Sequence, residues 1–349
     1  MKSNFVIPLV VFLSVCLGIG GSVASHGVAD LEKQDSTISV IAYFCKNDTM
    51  KYVRTKTSFT VDVADTSAVD TAYCEEFMII VRDSTADGYK MELIPVSLEA
   101  HLDTNGTMTD GVLVALKDNF NDLTAVFTTD EYGSLKHLEN CKEIRNRMKG
   151  GIKIMLDSLY TSIDSLEQAM PRATFEALIT LMYSTEEGTW SAYDELTTLF
   201  ACHGSVFDIG KKVVDNIDKD STISTLYVGY GAYDDYGFDD DYTIFGSTVQ
   251  TLSREETLDM VGGVTNILLK DSLASNFNKL LSDSLKVGMK RTLLQDYNIF
   301  FNGWPSLVRT QKIVEVGPRK KVSTDEIEWT YRSWRQYAVK RDEYQTTSF

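Results

Sequence analysis

Two alternating runs, "AYCEEFMIIVRD" and "YKMELIPVSLEA", meet at "STADG" across residues 72–100. Apolar residues recur at every second position, which puts them on one face of a strand pair. Asp87-Gly88 supplies the turn between them, because glycine tolerates positive φ at no steric cost. A chain with this hairpin has to build and bury an antiparallel sheet. The flanking segments agree. "TISVIAYFC" and "MKYVRTKTSFTVDVA" before it are rich in β-branched and aromatic residues, and "LTAVFTT", "DEYG" and "SLKHLEN" after it form a second hairpin. Residues 37–140 read as an antiparallel meander.

The period then changes. Ile144, Met148, Ile152, Met155, Leu159, Ile163, Leu166 and Met170 follow Cys141 at three-and-four spacing, one buried stripe of a helix that Gly150-Gly151 is placed to kink. Pro171 is placed to open a second helix, and "TEEGTWSAYDELTTLFACHG" reads as a third, closed by Gly204. Strands return at "STISTLYVGYG" and "DYTIFGSTVQTL". Ser253 and Glu256 make a capping-box pattern, but Gly262-Gly263 interrupts the helix it implies. "SLASNFNKLLSDSLKVG" is the better helix, and the end is strand-rich again around the turn "NGWP". This order predicts an α+β fold: one or two antiparallel sheets, curved, with a central group of helices on one face. The organisation expected is a single domain over 25–349. Two closely packed halves fit equally: strands 37–140 with helices 141–204, and strands with one helix over 221–345.

The N-terminus gives an address. Lys2 precedes "FVIPLVVFLSVCLGIGG" and then "SVAS", the pattern of a secretory signal peptide over 1–24, cleaved after Ala24 or Ser25. The expected location is the periplasm or the extracellular space. A membrane anchor helix and a lipid anchor at Cys16 are the alternatives. The sequence carries a net charge of −16 and no basic, aromatic-interleaved face, which argues against nucleic-acid partners and anionic membrane surfaces. Cys45, Cys74, Cys141 and Cys202 remain after cleavage. In an exported protein they permit disulfides 45–74 and 141–202, or four reduced thiols. None has metal-type spacing.

Candidate sites are few. "YGAYDDYGFDDDY", residues 230–242, holds five aspartates, four tyrosines and a phenylalanine between two strand-like runs. Asp234, Asp235, Asp239, Asp240 and Asp241 are a weak calcium set, because the late bidentate glutamate of an EF-hand is missing. Tyr230, Tyr233, Tyr236, Phe238 and Tyr242 make the same loop a candidate contact surface, since tyrosine offers area with a polar end. Arg319, Lys320 and Lys321 offer that loop an internal partner. His101, His137 and His203 lack metalloprotease spacing, "HGSVFD" is not a nucleophile elbow, and "GYGAYDDYG" lacks the lysine and helix of a phosphate loop. Trp190, Trp304, Trp329 and Trp334 are scattered, as core or turn residues are. No catalytic residue and no cofactor is called, and an enzyme is not expected.

Asp followed by Ser or Thr and then an apolar residue or Thr recurs at nine positions from Asp35 to Asp283. This resembles the O-glycosylation acceptor of exported Bacteroidota proteins, although Asp-Ser and Asp-Thr also start turns and cap helices. Sequons at Asn47 and Asn105 matter only in a eukaryotic source. "TTDEYGSLKHLENCKEIRN" and "FNGWPSLVRTQKIVE" look like segments of uncharacterised exported Bacteroidota proteins, together about a tenth of the chain. The implied architecture is similar to the curved sheets of periplasmic lipoprotein carriers, a likeness of fold rather than of function. The reading that follows is a non-enzymatic exported protein binding a lipid or other hydrophobic ligand in a cleft between sheet and helices. The alternative is an envelope or secreted protein that meets its partner through loop 230–242.

Overall fold

The computed structural model describes residues 37–62, 65–102, 123–162, 171–216, 222–231, 240–268, 275, 278–279, 281–283, 285–334 and 337–340. The signal-peptide region lies outside them. The fold is dominated by one antiparallel sheet, so "α+β" describes it only loosely.

The N-terminal half contributes β2 (Thr49–Asp62), β3 (Asp65–Thr85), β4 (Gly88–Leu102), β5 (Ala125–Thr129) and β6 (Leu135–Leu138). The C-terminal half contributes β8 (Gly210–Asn216), β9 (Thr222–Tyr230), β10 (Asp240–Leu252), β11 (Met289–Phe300), β12 (Pro305–Val316), β13 (Arg319–Trp334) and β14 (Tyr337–Lys340). The strand order is β6-β5-β4-β3-β2-β13-β12-β11-β10-β9-β8, with β14 beside the end of β13. Two meanders therefore join in the middle, where β2 pairs antiparallel with β13. The two outer strands, β6 and β8, do not pair, so the sheet stays open. Separately, β1 (Thr37–Ser39) and β7 (Val206–Asp208) form a small two-stranded sheet.

The expected hairpin forms at Thr85–Gly88, and Gly88 has φ +140. A side chain there would strike the Thr129 carbonyl, with Cβ 2.1 Å from its oxygen. The capping box also forms: Glu256 N–H donates to Ser253 Oγ at 3.2 Å and Ser253 N–H to Glu256 Oε2 at 2.6 Å. It starts a helix that runs through Gly262-Gly263, contrary to the expected interruption. Two cap bonds and a buried face outweigh the loss of about 1 kcal/mol per glycine.

The chain crosses from β6 at one edge to β8 at the other through α1 (Cys141–Ser162), α2 (Arg172–Met182), α3 (Glu186–Trp190), a 3-10 turn (Ser191–Tyr193) and α4 (Asp194–Leu199). Ile144, Met148, Ile152, Met155 and Leu156 of α1 are buried in one apolar cluster with Tyr52, Phe77, Ile79, Met91 and Phe127 of the sheet. Near the opposite ends of the C-terminal strands, α5 (Arg254–Leu268) sets Met260 on Leu252, Met289, Val314 and Val316. Register shows that both helical layers lie on the same side. Arg54, Ile327, Val308, Tyr297, Ile244 and Val228 are successive cross-strand partners facing the first layer, and Met289 and Leu252 continue the same alternation.

Candidate functional site

Arg54 sits at the join of the two meanders, fully buried. It occupies the inward phase of β2 with Met50 and Tyr52, which are core residues. A buried guanidinium is tolerated only with its donors satisfied and its charge matched. Nε donates to Asp325 Oδ1 at 2.8 Å and Nη2 to Asp325 Oδ2 at 2.7 Å. Nη1 and Nη2 donate to the two oxygens of Asp194, both at 2.7 Å. Nη1 also reaches Glu75 Oε1 at 3.1 Å and Glu195 Oε2 at 3.0 Å. Five N–H groups make six contacts, so Nη1 shares a hydrogen. Three parts of the chain meet here: Glu75 from the N-terminal meander, Asp194 and Glu195 from the start of α4, and Asp325 from β13.

A second cation completes the cluster. Lys56 Nζ lies 2.8 Å from Asp194 Oδ2 and 3.4 Å from Asp325 Oδ2, and 5.4 Å from the Tyr73 ring centroid. Burial opposes charge on both cations, but Asp194 and Asp325 outweigh it and hold both pKa values up. Burial would raise the Asp325 carboxyl, yet Arg54 and Lys56 lower it below the usual range. Arg54 fills the centre of a carboxylate set that would otherwise suit a cation. Among the described residues no group of three or more His, Cys, Asp or Glu is arranged to hold a metal. With its oxygens held by ion pairs, the cluster is built to fasten rather than to transfer protons.

His203 marks a second buried polar point. Its Nε2–H donates to the Gly303 carbonyl at 2.9 Å; Phe44 and Phe200 pack on its ring, and Trp304 packs on both of those phenylalanines. Burial pushes its pKa down to about 4, against the upward pull of the Gly303 carbonyl. Its Nδ1 and the indole N–H of Trp304 are buried with no hydrogen-bond partner among the described residues. Gly133 and Gly303 close the box: Cβ atoms would stand 2.5 Å from His203 Cδ2 and from the Ile41 carbonyl oxygen respectively.

The other face of the sheet differs. Phe59, Val322, Ile313, Thr292, Val249 and Ile223 are direct cross-strand partners across six strands. They lie an odd number of residues from the inward-facing positions and so point away from both helical layers. Neither described apolar cluster includes them. Leu294, Phe245 and Tyr227 lie on the same face; Ile223, Tyr227 and Val213 are 45%, 48% and 54% exposed, Phe59, Ile313, Thr292 and Val249 are half-buried, and Val322 is buried at 5%.

The residues singled out from sequence fall in several places. The acidic stretch connects β9 to β10, with Tyr230 opposite Tyr242. Tyr230 is 72% exposed, whereas Tyr242 is buried in the core. Asp240 and Asp241 belong to β10. Asp234, Asp235, Asp239, Tyr233, Tyr236 and Phe238 lie outside the described residues, as does Asn105. The suggested disulfides do not form: no S–S bond joins Cys45, Cys74, Cys141 or Cys202. Cys141 instead contacts Thr189 Oγ1 at 3.5 Å, and burial pushes the Cys202 thiol up to about 12. His137 is exposed beside Glu186, and the His101 side chain lies outside the described residues. Trp304 and Trp329 are buried core residues. Arg319, Lys320 and Lys321 open β13 at the end of the sheet near α5. Asp48 is buried and accepts from Cys45 N–H at 2.8 Å, the turn-capping role open to an Asp-Thr pair.

Sequence reading missed Arg54 and its carboxylates. A signal was present, because Arg54, Glu75 and Asp325 each occupy the core-facing phase of an alternating strand. Their mutual pairing depends on the β2–β13 register, which no local pattern contains.

No protein-family model and no curated protein matches this sequence. Among solved structures, lipovitellin, described for its lipid–protein interactions, is similar over 85% of this chain at a TM-score of 0.37 and 8% identity. The matched part is 26% of that chain, so this protein spans about a quarter of lipovitellin's length. Among the described residues no helix is long and apolar enough to cross a membrane.

Proposed function

We propose that this is an exported, non-enzymatic protein that binds a lipid or other hydrophobic ligand. The observation that supports it is the apolar row Phe59–Val322–Ile313–Thr292–Val249–Ile223 on the sheet face turned away from the helices. The cleft expected between sheet and helices is occupied instead: the Met and Ile stripe of α1 is core, leaving the opposite face as the ligand platform. Exposed apolar side chains on one face, here Ile223, Tyr227 and Val213 at the β8–β9 end of the row, mark ligand, partner or membrane contacts. The absence of catalysis is supported by the sequence, which carries no catalytic motif, and by the charge cluster, whose carboxylates are tied to Arg54 and Lys56. Export is supported by the N-terminal apolar run with its small-residue cleavage pattern.

The test is native mass spectrometry of the full chain after incubation with a total lipid extract. Lipid-sized adducts are expected, and Ile223→Asp and Ile313→Lys should strip them while leaving the thermal midpoint within a few degrees. No adducts, or adducts undiminished in both variants, would contradict the reading. A second reading, contact through the acidic tyrosine loop, is favoured by the exposure of Tyr230 at its base. Deleting 232–241 would abolish capture of an envelope partner under that reading and leave lipid adducts unchanged.

A further inference from the structure

Among the described residues, two separate helical layers pack on the helix side of the sheet. Between the layer under α4 and the layer under α5 runs a band whose inward residues are Leu293, Lys312, Ser323 and Ser58, direct partners on four neighbouring strands. Thr248, opposite Leu293, extends its polar floor and shares a hydrogen bond with Ser224 at 3.3 Å. Lys56 lies two residues to one side of this band on β2. Arg291 lies two residues to the other on β11, donating to Met260 Sδ at 3.7 Å. Three cations thus share one face of a chain whose net charge is −16.

Lys312 is the informative member. It is solvent-exposed, and among the described residues it makes no hydrogen bond and no ion pair. Yet its pKa is lowered, first by crowding and then by the like charge of Lys56, and crowding lowers Arg291 too. Register sets this exposed ammonium between Lys56 and Arg291 on one face, with Ser323 and Ser58 beside it, so cations outnumber unengaged anions there. Asp325 and Asp194 pull the other way, but their oxygens are engaged by Arg54 and Lys56. Placing one more anion beside these cations relieves repulsion rather than adding it, and neighbouring hydroxyls suit a ligand that accepts hydrogen bonds.

We propose that Lys312 and Arg291 form an oxyanion-binding site, with Lys56 adding charge from the adjoining row, for a carboxylate or phosphate group. The site is independent of the apolar platform, which lies on the opposite face. The shared chemistry is the anionic group, supplied either by a free anion or by a lipid headgroup.

The test is titration of the full chain with sodium phosphate by calorimetry at low chloride, and in parallel with phosphatidylglycerol vesicles against phosphatidylcholine vesicles. Saturable phosphate binding that weakens at least tenfold in Lys312→Ala, with Lys312→Arg retaining most of it, supports a free-anion site. Binding to phosphatidylglycerol vesicles alone, lost in Lys312→Ala, supports a headgroup site. Ile223→Asp should leave either result unchanged, which separates failure of this site from failure of the apolar platform. Neither ligand binding, or binding equal in Lys312→Ala and the native chain at an unchanged thermal midpoint, would overturn the proposal.

Discussion

Arg54 and Asp325 stand 271 residues apart and meet through two parallel hydrogen bonds of 2.8 and 2.7 Å across the β2–β13 join. Asp325 lies diagonally from Arg54, two residues along β13 from Arg54's direct partner Ile327 and so on the same face. The contact clasps the first half of the sheet to the last, and Asp194 brings α4 onto the same guanidinium. Removing Arg54 leaves Glu75 and Glu195 buried as uncompensated anions. Arg54→Met is expected to cost about 3–5 kcal/mol in denaturant unfolding, the scale for breaking a buried ion pair on one side. Arg54→Lys should also destabilise, since an ammonium cannot reproduce two planar two-point pairs.

His203 makes stability depend on pH. Its folded pKa of about 4 lies below the ordinary value of 6.5, so between those values the unfolded chain binds more protons. Its contribution is complete above 6.5 and is lost as pH falls toward 4, a full loss of roughly 3 kcal/mol at 1.36 kcal/mol per unit. Asp325, with its lowered pKa, adds acid sensitivity only below its unfolded value near 4. His203→Gln should flatten the profile of unfolding free energy between pH 6.5 and 4 and leave the steeper fall below 4. A slope unchanged from the native chain would contradict the assignment.

Glycines of opposite consequence lie within this chain. Gly303 has φ +88 and its Cβ would meet backbone of Ile41 at 2.5 Å, so Gly303→Ala is expected to cost about 2 kcal/mol or more. Gly263 is in α5 with open space around it, so Gly263→Ala should gain about 0.5–1 kcal/mol. Thermal midpoints moving in the same direction would refute the contrast.

The cysteines yield a chemical test. Cys202 is buried with its thiol pushed up to about 12, which leaves little thiolate at pH 8. Cys141 is buried as well. Both are expected to resist iodoacetamide in the native protein and to react on unfolding. Reductant should leave the midpoint unchanged, and alkylation in denaturant without reductant should modify Cys45, Cys74, Cys141 and Cys202 alike. Resistance of any pair would restore a disulfide.

Local patterns were legible in the sequence wherever the deciding interaction is local. The Asp87-Gly88 turn, the Ser253–Glu256 box and the α1 stripe from Ile144 to Leu156 each rest on contacts within a few residues or on one period. The helix across Gly262-Gly263 was underestimated because its cap and the Met260 contacts outweigh two glycines. The disulfide pairing rested on compartment and an even count, and no geometry supports it. The charge cluster and the apolar row depend on register between strands hundreds of residues apart, where one residue of slip exchanges the two faces. Phe59 and Ile223 look like ordinary strand residues until the two meanders are joined.

The central claim is that a hydrophobic ligand lies on the sheet face turned away from the described helices. The most direct measurement is photolabelling of the full chain with a diazirine fatty acid, followed by peptide mapping. Labels are expected in the β2, β9, β10, β11 and β12 peptides carrying Phe59, Ile223, Val249, Leu294 and Ile313. Labels confined to α1–α4, or no saturable labelling at all, would contradict it.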